Sequence, residues 1–380
     1  MSENKVPLCR PEIGEKEIEE IKRVLDSGWL AHGPKVKEFE KKFAEYIGVK
    51  YAVSLNSCAS ALQAAIMAKN LKGEIILPSF TFPASANAII NAGCIPVFAE
   101  IRKDTMNIDI SDVEKKITLR TVGIMPVHFA GQSCEMDKIM ELAKKHNMTI
   151  IEDSAEAIGT TYTGKKTGAF GEGCFSFYPT KNITTAEGGM VTTNSKETAE
   201  MVQTIRGHGV SKGAYEREHA EKPWIRMATM PGYNFRMNEI QAVLGIEQLK
   251  ILDELNEKRR KNAQYLNRGL SRYREITTPY EDKKGKHTYQ MYVIQLDEKI
   301  DRDAFVIYLR NNGVEANVHF FPGVHQHPYY EKTFGKKSLP VTESISRIVA
   351  TLPMFPSMTK KQMDIIIEKV GEALKTARWH

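Results

Sequence analysis

The chain has 380 residues, of which 42% are hydrophobic, and its 53 basic and 47 acidic side chains leave a formal net charge of +6. A chain of this length is too long to fold around one small hydrophobic core, which predicts a large domain and a smaller one. The charges are scattered, and the most basic run, residues 283–286, is typical of a solvated loop, so we expect no nucleic-acid partner.

The five cysteines are widely spaced and form no CxxC pair, so the sequence predicts neither a disulfide framework nor a metal site. The first residues lack the apolar core of a signal peptide, and no apolar run is long enough to span a bilayer. We therefore expect a cytoplasmic protein without a membrane partner.

Two helices are predicted first. Ile18, Ile21 and Leu25 follow helical spacing up to a stop at Gly28, and a second helix is predicted over 33–47. Short β-rich runs then alternate with helical stretches, which favours an α/β fold with a large, mostly parallel seven-stranded sheet that helices cover on both faces. The predicted strands are 51–55, 74–80, 95–101, 121–127, 149–153, 174–177 and 190–193, and the predicted helices between them include 59–68, 83–91 and 135–146.

The C-terminal part of the chain predicts a smaller α+β domain. A long helix from about residue 240 to 270 leads out of the large domain. A strand at 288–296, a helix at 302–312 and helical stretches at 341–352 and 360–375 follow. We place the large domain at 12–250 and the small domain at 251–380, with residues 1–30 packed against the small domain.

The most informative segment is the run from residue 175 to 189, which contains Lys181 between an apolar strand and a Gly-containing turn. A lysine in this setting can lose its proton and form a Schiff base, which favours pyridoxal phosphate as cofactor. Once a substrate amine releases it, the same amine can move a proton. Asp153 ends an apolar strand and would need a partner once buried, and a protonated pyridine nitrogen supplies one.

Other positions are candidate cofactor contacts. Ser57, Cys58 and Ala59 join a predicted strand to a predicted helix, where backbone N–H groups can close on a phosphate; an ordinary helix N-cap is the alternative. Phe82 is a candidate to stack on an aromatic ring, although a core position would show the same pattern. Ala155 can pack on the other face of such a ring.

Two further segments carry polar side chains. Asn234 and Arg236 precede the long helix and can reach a phosphate or a carboxylate, and a helix cap made by Asn238 is the structural alternative. The run 318–330 is rich in His, aromatic residues and Pro. Its histidines lack the spacing of a metal site, so an aromatic lining for a sugar or a nucleotide is favoured. The candidate contacts in this run are His319, His325 and Tyr329.

In their order along the chain these motifs resemble the pyridoxal-phosphate-dependent sugar aminotransferases of the DegT/DnrJ/EryC1/StrS family. The resemblance runs from about Pro7 to Leu352. The matching motifs are 27–30 with 33–34, 56–60, 126–128 with Gly131, 152–153, the Lys181 run with 187–189, 234–237 and 319–329. It implies the aspartate-aminotransferase fold (fold type I) and a homodimer with active sites at the subunit interface. It also implies L-glutamate as amino donor, a nucleotide-linked keto-sugar as acceptor and pyridoxamine phosphate as an intermediate form of the cofactor.

The resemblance implies a role for each matching residue. Lys181 becomes the Schiff-base lysine, Asp153 the pyridinium partner and Phe82 the stacking residue, while Asn234 comes from the neighbouring subunit. The remaining cofactor contacts are Ser57, Cys58, Ala59, Ala155, Glu156 and Ser176, with the phosphate bound by Ser57, Cys58 and Ser176. The candidate substrate contacts are Trp29, Leu30, His32, Glu187, Arg236, His319, His325 and Tyr329.

The chain departs from the family pattern at several positions. Phe82 stands where many members have Trp, which preserves stacking. Glu156 replaces Gln or His and resembles enzymes that make perosamine-type 4-amino sugars. Ala186 replaces a glycine, which predicts a slightly different turn. The pair 31–32 replaces Thr-Thr or a similar pair near the expected sugar site and leaves the acceptor open, while the motif 27–30 favours amination at C4 over C3.

Alternative functions remain at this stage. An aminotransferase for a C3-keto sugar or a cyclitol would share the cofactor machinery. A non-catalytic, pyridoxal-phosphate-binding regulator would need a partner-binding module, for which the chain has no spare segment. A sugar dehydratase on the same scaffold has His where this chain has Lys181, which disfavours it.

Overall fold

The structure is a computed structural model that describes residues 5–210, 222, 224–225 and 227–378. In chain order its strands are β1 (Tyr51–Leu55), β2 (Glu74–Pro78), β3 (Ile95–Ala99), β4 (Thr121–Ile124), β5 (Thr149–Asp153), β6 (Thr161–Tyr162), β7 (Lys165–Lys166), β8 (Glu172–Ser176), β9 (Gly189–Thr193), β10 (Ile276–Thr277), β11 (Gly285–Lys286), β12 (Tyr292–Leu296) and β13 (Val349–Leu352). Its helices are α1 (Glu15–Ser27), α2 (Pro34–Ile47), α3 (Cys58–Ala68), α4 (Pro83–Asn91), α5 (Ile110–Lys116), α6 (Met136–Lys145), α7 (Lys196–Arg206), α8 (Glu239–Leu270), α9 (Arg302–Asn311), α10 (Pro328–Phe334), α11 (Pro340–Ile348) and α12 (Lys360–Thr376).

The large sheet has seven strands in the order β1-β9-β8-β5-β4-β2-β3. The pairs from β8 to β3 are parallel, and β9 runs antiparallel to both β8 and β1. The predicted seven-stranded, mostly parallel sheet is therefore confirmed. Its parallel strands end at one edge, and this common edge positions the candidate site described below.

Helices cover both faces of this sheet. Helices α3, α4 and α7 share an apolar cluster with one face, and α2, α5, α6 and α8 pack in clusters on the other. Successive side chains of a strand point to opposite faces, so in β8 Cys174 joins the first cluster and Phe175 the second. This double burial explains why the strands are apolar runs with little alternation of polar residues.

Local sequence signals set the ends of several helices. The chain leaves α1 through Gly28 at φ 71°, a left-handed conformation that glycine adopts without strain. Pro34 and Pro83 begin α2 and α4, because proline suits the first turn of a helix, where its missing N–H has no intrahelical partner. Asn238 and Gln241 form a capping box at the start of α8.

A second sheet, β10-β12-β13, packs with α9, α12 and the end of α8 around its own apolar cluster, which Val6 joins from the N-terminus. The predicted helix over 341–352 is wrong at its end, because α11 stops at Ile348 and residues 349–352 form β13 against β12. Val349 and Thr351 are β-branched and buried, which suits a strand.

The N-terminal residues reach both parts of the molecule. The N–H of Val6 donates to the carbonyl of Gly313, and α1 packs on α8. Helix α8 crosses the predicted boundary between residues 250 and 251 without interruption, so the division into two domains stays a prediction. In the described part of the chain, no helix has the length and apolar character that a membrane crossing requires.

Candidate active site

A cavity of about 490 Å³ lies beyond the carboxyl ends of β5 and β8, at the sheet edge where α/β proteins bind ligands. The sequence-predicted residues in its wall are Ser57, Cys58, Ala59, Phe82, Asp153, Ala155, Glu156, Ser176, Lys181, Glu187 and His319. Strand ends from distant parts of the chain therefore bring the predicted lysine, the predicted carboxylate and the α3 N-terminus into one space.

Asp153 is the last residue of β5, and its carboxylate is buried. The Ser85 hydroxyl donates a hydrogen bond to Oδ2 at 2.7 Å, and the Ala155 N–H donates to Oδ1 at 3.2 Å. Burial raises the pKa of Asp153, the two hydrogen bonds oppose that rise, and the charge of Glu156 adds to it. A cation in the cavity would offset the cost of keeping this buried carboxylate ionised.

Lys181 projects into the same cavity, and its side chain is 16% exposed. Its Nζ lies 3.3 Å from Oε1 of Glu156, while Oε2 of Glu156 accepts a hydrogen bond from the Ala130 N–H at 2.8 Å. Because the Ala130 backbone holds Glu156 from behind, the carboxylate has a fixed position beside the amine. The arrangement suits a lysine that binds a carbonyl compound and moves a proton.

His319 lines the cavity, and its Nδ1 lies 2.9 Å from Oγ1 of Thr351, the third residue of β13. Burial lowers the pKa of His319, and the charge of Glu156 opposes this effect. A lowered pKa keeps the ring neutral at physiological pH, so it can both donate and accept a hydrogen bond.

The N-terminus of α3 forms one end of the cavity. Ser57 is the N-cap residue, and its hydroxyl accepts a hydrogen bond from the Ser60 N–H at 3.1 Å. Burial raises the pKa of the Cys58 thiol well above its usual range, which keeps the thiol protonated. A Cβ added to Gly189 would lie 2.2 Å from the Ser57 carbonyl oxygen, so only glycine lets β9 approach this turn so closely. The result is a helix N-terminus open to an anion.

Phe82 lies at the mouth of the cavity, 62% exposed, with its ring centroid 6.4 Å from that of Phe320. The turn before Glu187 contains Ala186 at φ 64°, a left-handed conformation that favours glycine. This strained turn is a local feature of the cavity wall beside Glu187.

Seven predicted residues do not line the cavity of this chain: Trp29, Leu30, His32, Asn234, Arg236, His325 and Tyr329. His325 is buried, with Nδ1 2.6 Å from Oγ of Ser79 and Nε2 3.3 Å from Oε1 of Glu343. Tyr329 is 54% exposed and packs edge-on against Tyr330. Asn234 forms a backbone bridge with Gly207.

His32 belongs to a separate buried cluster. Its Nε2 lies 3.2 Å from Nη2 of Arg206, whose Nη1 pairs with Glu40 at 2.5 Å and bonds the Ser54 carbonyl at 2.6 Å. Burial, and then the charge of Arg206, lower the pKa of His32 to about 4. This cluster joins α2, β1 and α7.

The sequence interpretation missed several residues of the site. Ser85 contacts Asp153 across 68 positions in the chain, and no local pattern marks it. Gln290, Asn317 and Phe320 also line the cavity. The aromatic run around Phe320 was recognised, but a linear pattern does not show which of its side chains face inwards.

Comparison with known proteins identifies a single family. The model of the DegT/DnrJ/EryC1/StrS aminotransferase family matches residues 11–371. The spore coat polysaccharide biosynthesis protein SpsC of Bacillus subtilis (strain 168) is 40% identical over 381 residues, covering 98% of each chain.

Solved structures agree with this match. PseC of Helicobacter pylori, an aminotransferase involved in the biosynthesis of pseudoaminic acid, superimposes with a TM-score of 0.92 at 31% identity and covers 98% of this chain and 100% of PseC. Spr1654 of Streptococcus pneumoniae, solved in a form with pyridoxal phosphate, has a TM-score of 0.90 at 27% identity and covers 98% of this chain and 99% of its own. The predicted aspartate-aminotransferase-type fold is confirmed, and the chain belongs to the DegT/DnrJ/EryC1/StrS aminotransferase family as a sugar aminotransferase.

Proposed function

We propose that this enzyme transfers the amino group of L-glutamate to C4 of a nucleotide-linked 4-keto-6-deoxy sugar, for the biosynthesis of amino sugars and surface polysaccharide. The observation that carries the proposal is the meeting of Lys181, Glu156 and Asp153 in one cavity. The motif 27–30 and the carboxylate at position 156 support amination at C4. SpsC, a polysaccharide biosynthesis protein, supports the pathway class.

The cavity residues fit pyridoxal phosphate. The open N-terminus of α3 at Ser57, with Ser176 nearby in the wall, suits the phosphate, and the buried carboxylate of Asp153 suits a protonated ring nitrogen. Gly189 packs directly against this turn, because a Cβ at that position would lie 2.2 Å from the Ser57 carbonyl oxygen. Bound there, pyridoxal phosphate supplies an electron sink that acidifies the C–H bond next to the substrate nitrogen.

Each residue of the proposed site then has a defined role. Asp153 holds the proton of the ring nitrogen, and Ser85 orients the carboxylate through their 2.7 Å hydrogen bond. Lys181 Nζ takes a proton from the α-carbon of glutamate and later returns a proton to the sugar carbon that receives nitrogen. Glu156 holds the amine at 3.3 Å. His319, neutral through burial, offers a hydrogen bond to the acceptor.

We further propose that the active enzyme is a homodimer in which the second copy completes the site. The expected phosphate contact Asn234 and the expected sugar contacts Trp29, Leu30 and Arg236 do not line the cavity of their own chain. Helix α1 also carries the exposed apolar residue Ile18, at 62%. A neighbouring subunit would both cover such residues and bring polar side chains to the cavity.

The experiment follows the visible absorbance of the purified protein with added pyridoxal phosphate, first with glutamate and then with a panel of 4-keto sugar nucleotides. We expect glutamate to remove the visible absorbance band of the bound cofactor and one sugar nucleotide to restore that band. Lys181→Ala should abolish turnover, and Asp153→Asn should lower the rate by several orders of magnitude because the cofactor loses electron-sink character.

The outcomes separate the alternatives. Recovery of the absorbance band with a free cyclitol ketone or with a 3-keto sugar nucleotide would show that the acceptor is that compound and not a 4-keto sugar nucleotide. A protein that develops no band even with added pyridoxal phosphate would overturn the role of Lys181, as would full turnover in Lys181→Ala.

A further inference from the structure

Three buried side chains contact residues 180–182, which we call the Lys181 segment, two of them at its backbone and one at a side chain. Gln290 Nε2 donates to the first carbonyl of the segment at 2.7 Å, and Arg259 Nη2 donates to the carbonyl of Lys181 at 3.5 Å. Asn256 Oδ1 accepts from the amide side chain at the end of the segment at 2.7 Å. The segment is thus held at each of its residues.

Arg259 is the unusual member of this set. It is 4% exposed, and its Nε and Nη1 have no hydrogen-bond partner in the described part of the chain. Burial lowers its pKa to about 10, and the charge of Glu12 opposes this effect. A guanidinium with that pKa stays charged at neutral pH, so the fold keeps a poorly compensated cation directly behind Lys181.

Stability does not explain this cation. Burying a charge without full compensation costs folding free energy, and an apolar side chain of the same size would avoid that cost. Its hydrogen bond in the described part of the chain is made to the carbonyl of Lys181. Asn256 lies three residues earlier on the same face of α8 and holds the same segment. Both of these α8 side chains therefore contact the Lys181 segment.

We propose that Arg259 is a positioning residue that fixes the main chain beneath Lys181 and thereby the place of its Nζ beside Glu156. The inference rests on the proposed role of Lys181. A proton moves efficiently only when donor and acceptor are within hydrogen-bond reach, and a displacement of about 1 Å can cost about 100-fold in rate. Arg259 acts through Lys181 and does not line the cavity.

The test replaces Arg259 by Met, which keeps the apolar stem and removes the charged group. We expect kcat of the glutamate half-reaction to fall about 10- to 100-fold, while KM for glutamate changes less than about threefold. Exchange of the glutamate α-hydrogen with D₂O should fall by a similar factor, because each exchange requires Lys181 to remove the α-proton and does not require release of the product. The denaturation midpoint of the cofactor-free protein should stay the same or rise. Arg259→Lys, which retains a charged donor, should restore part of the exchange rate.

The matched control is Arg302→Met. Arg302 is also buried, and its guanidinium bonds the carbonyls of Ser346 and Val349 at 3.0 and 3.4 Å. This control should lower stability and leave the exchange rate per folded, cofactor-loaded molecule within about twofold. An exchange rate in Arg259→Met within twofold of the unsubstituted enzyme overturns the proposal. If Arg259→Met does not fold, Arg259→Gln, which also removes the charge, decides by the same criterion.

A separate readout tests the underlying role of Lys181. Borohydride reduction of the unsubstituted enzyme with pyridoxal phosphate, followed by peptide mass analysis, should find the reduced phosphopyridoxyl group, used here as a label, on Lys181. A label elsewhere refutes the proposed function itself, whatever Arg259 does. A label on Lys181 together with unchanged exchange in Arg259→Met refutes the positioning role alone.

Discussion

Removal of the Ser85 hydroxyl is the sharpest test of the environment of Asp153. Ser85 is 1% exposed and Asp153 is 5% exposed, and their hydrogen bond is 2.7 Å long. A hydrogen bond to a charged group contributes about 1.5–3 kcal/mol, and one to a neutral group about 0.5–1.5 kcal/mol. The bond to Asp153 should therefore contribute about 1.5–3 kcal/mol of the stability that Ser85→Ala removes when Asp153 is ionised, and about 0.5–1.5 kcal/mol when it is protonated, while the lost bond to Thr81 adds the same amount at every pH.

The pH dependence has a definite sign. Burial raises the pKa of Asp153 in the folded state, so ionisation of this group costs stability as the pH rises from the unfolded pKa through the folded one. Ser85→Ala enlarges that cost. The difference in unfolding free energy between the unsubstituted protein and the variant should thus be smallest in acid and should grow as the pH rises towards neutrality.

Urea denaturation of the cofactor-free proteins over a pH series measures this difference. The matched control is Ser346→Ala, because Ser346 is also 1% exposed but donates to a neutral acceptor, the Glu343 carbonyl, at 2.9 Å. The control should lose about 0.5–1.5 kcal/mol at every pH. A loss in Ser85→Ala that does not vary with pH would show that Ser85 does not stabilise an ionised Asp153.

Three further substitutions test other features of the structure. Burial beside Arg206 lowers the pKa of His32 to about 4, so the protein should lose up to about 3 kcal/mol of stability as the pH falls from about 6.5 to 4, and His32→Gln should remove this loss in urea denaturation against pH. Ala186→Gly should relieve the strain at φ 64° and, after the larger entropy of an unfolded glycine, raise the free energy of unfolding by about 0.5–1 kcal/mol in urea denaturation. Gly189→Ala should force β9 away from Ser57 and weaken pyridoxal phosphate binding at least about 10-fold in an absorbance titration, the loss expected from one charge-assisted hydrogen bond.

Each of these has an adverse outcome, and the two substitutions that involve glycine have a matched control. An unchanged pH slope in His32→Gln would mean that another group titrates in that window. Ala199→Gly, in the helix α7, should destabilise by about 1 kcal/mol, and a similar loss in Ala186→Gly would contradict the strain. Gly14→Ala should leave cofactor binding unchanged, because a Cβ there meets only Glu17 at 3.4 Å. Normal cofactor affinity in Gly189→Ala would exclude the α3 N-terminus as the phosphate end.

Much of the fold was predictable because its signals are local. The strand runs and the stops at residues such as Gly28 are set by neighbouring residues, and most predicted elements agree with the observed ones to within a few positions. The failure at β13 has the same origin. The short apolar run 349–352 can extend the preceding helix or form a buried strand, and only its pairing with β12 decides between them.

The candidate site was predictable in part for a similar reason. Asp153 ends β5 and Lys181 lies in the loop that follows β8, and parallel strands bring their carboxyl ends to one edge of the sheet. The histidines were harder, because a linear pattern gives residue type but not surroundings. His319 faces the cavity, whereas His325 is buried between Ser79 and Glu343.

The sequence by itself determined most of the order of helices and strands and indicated Lys181 and Asp153 as candidate site residues, since periodicity, caps and strand ends are set within a few residues of each other. The tertiary structure alone decided which groups meet: Ser85 with Asp153 across 68 positions, and Arg259 with Lys181 across 78. It also decided the direction of each pKa shift. Burial and neighbouring charge produce those shifts, and both come from residues that are distant in the chain and close only after folding.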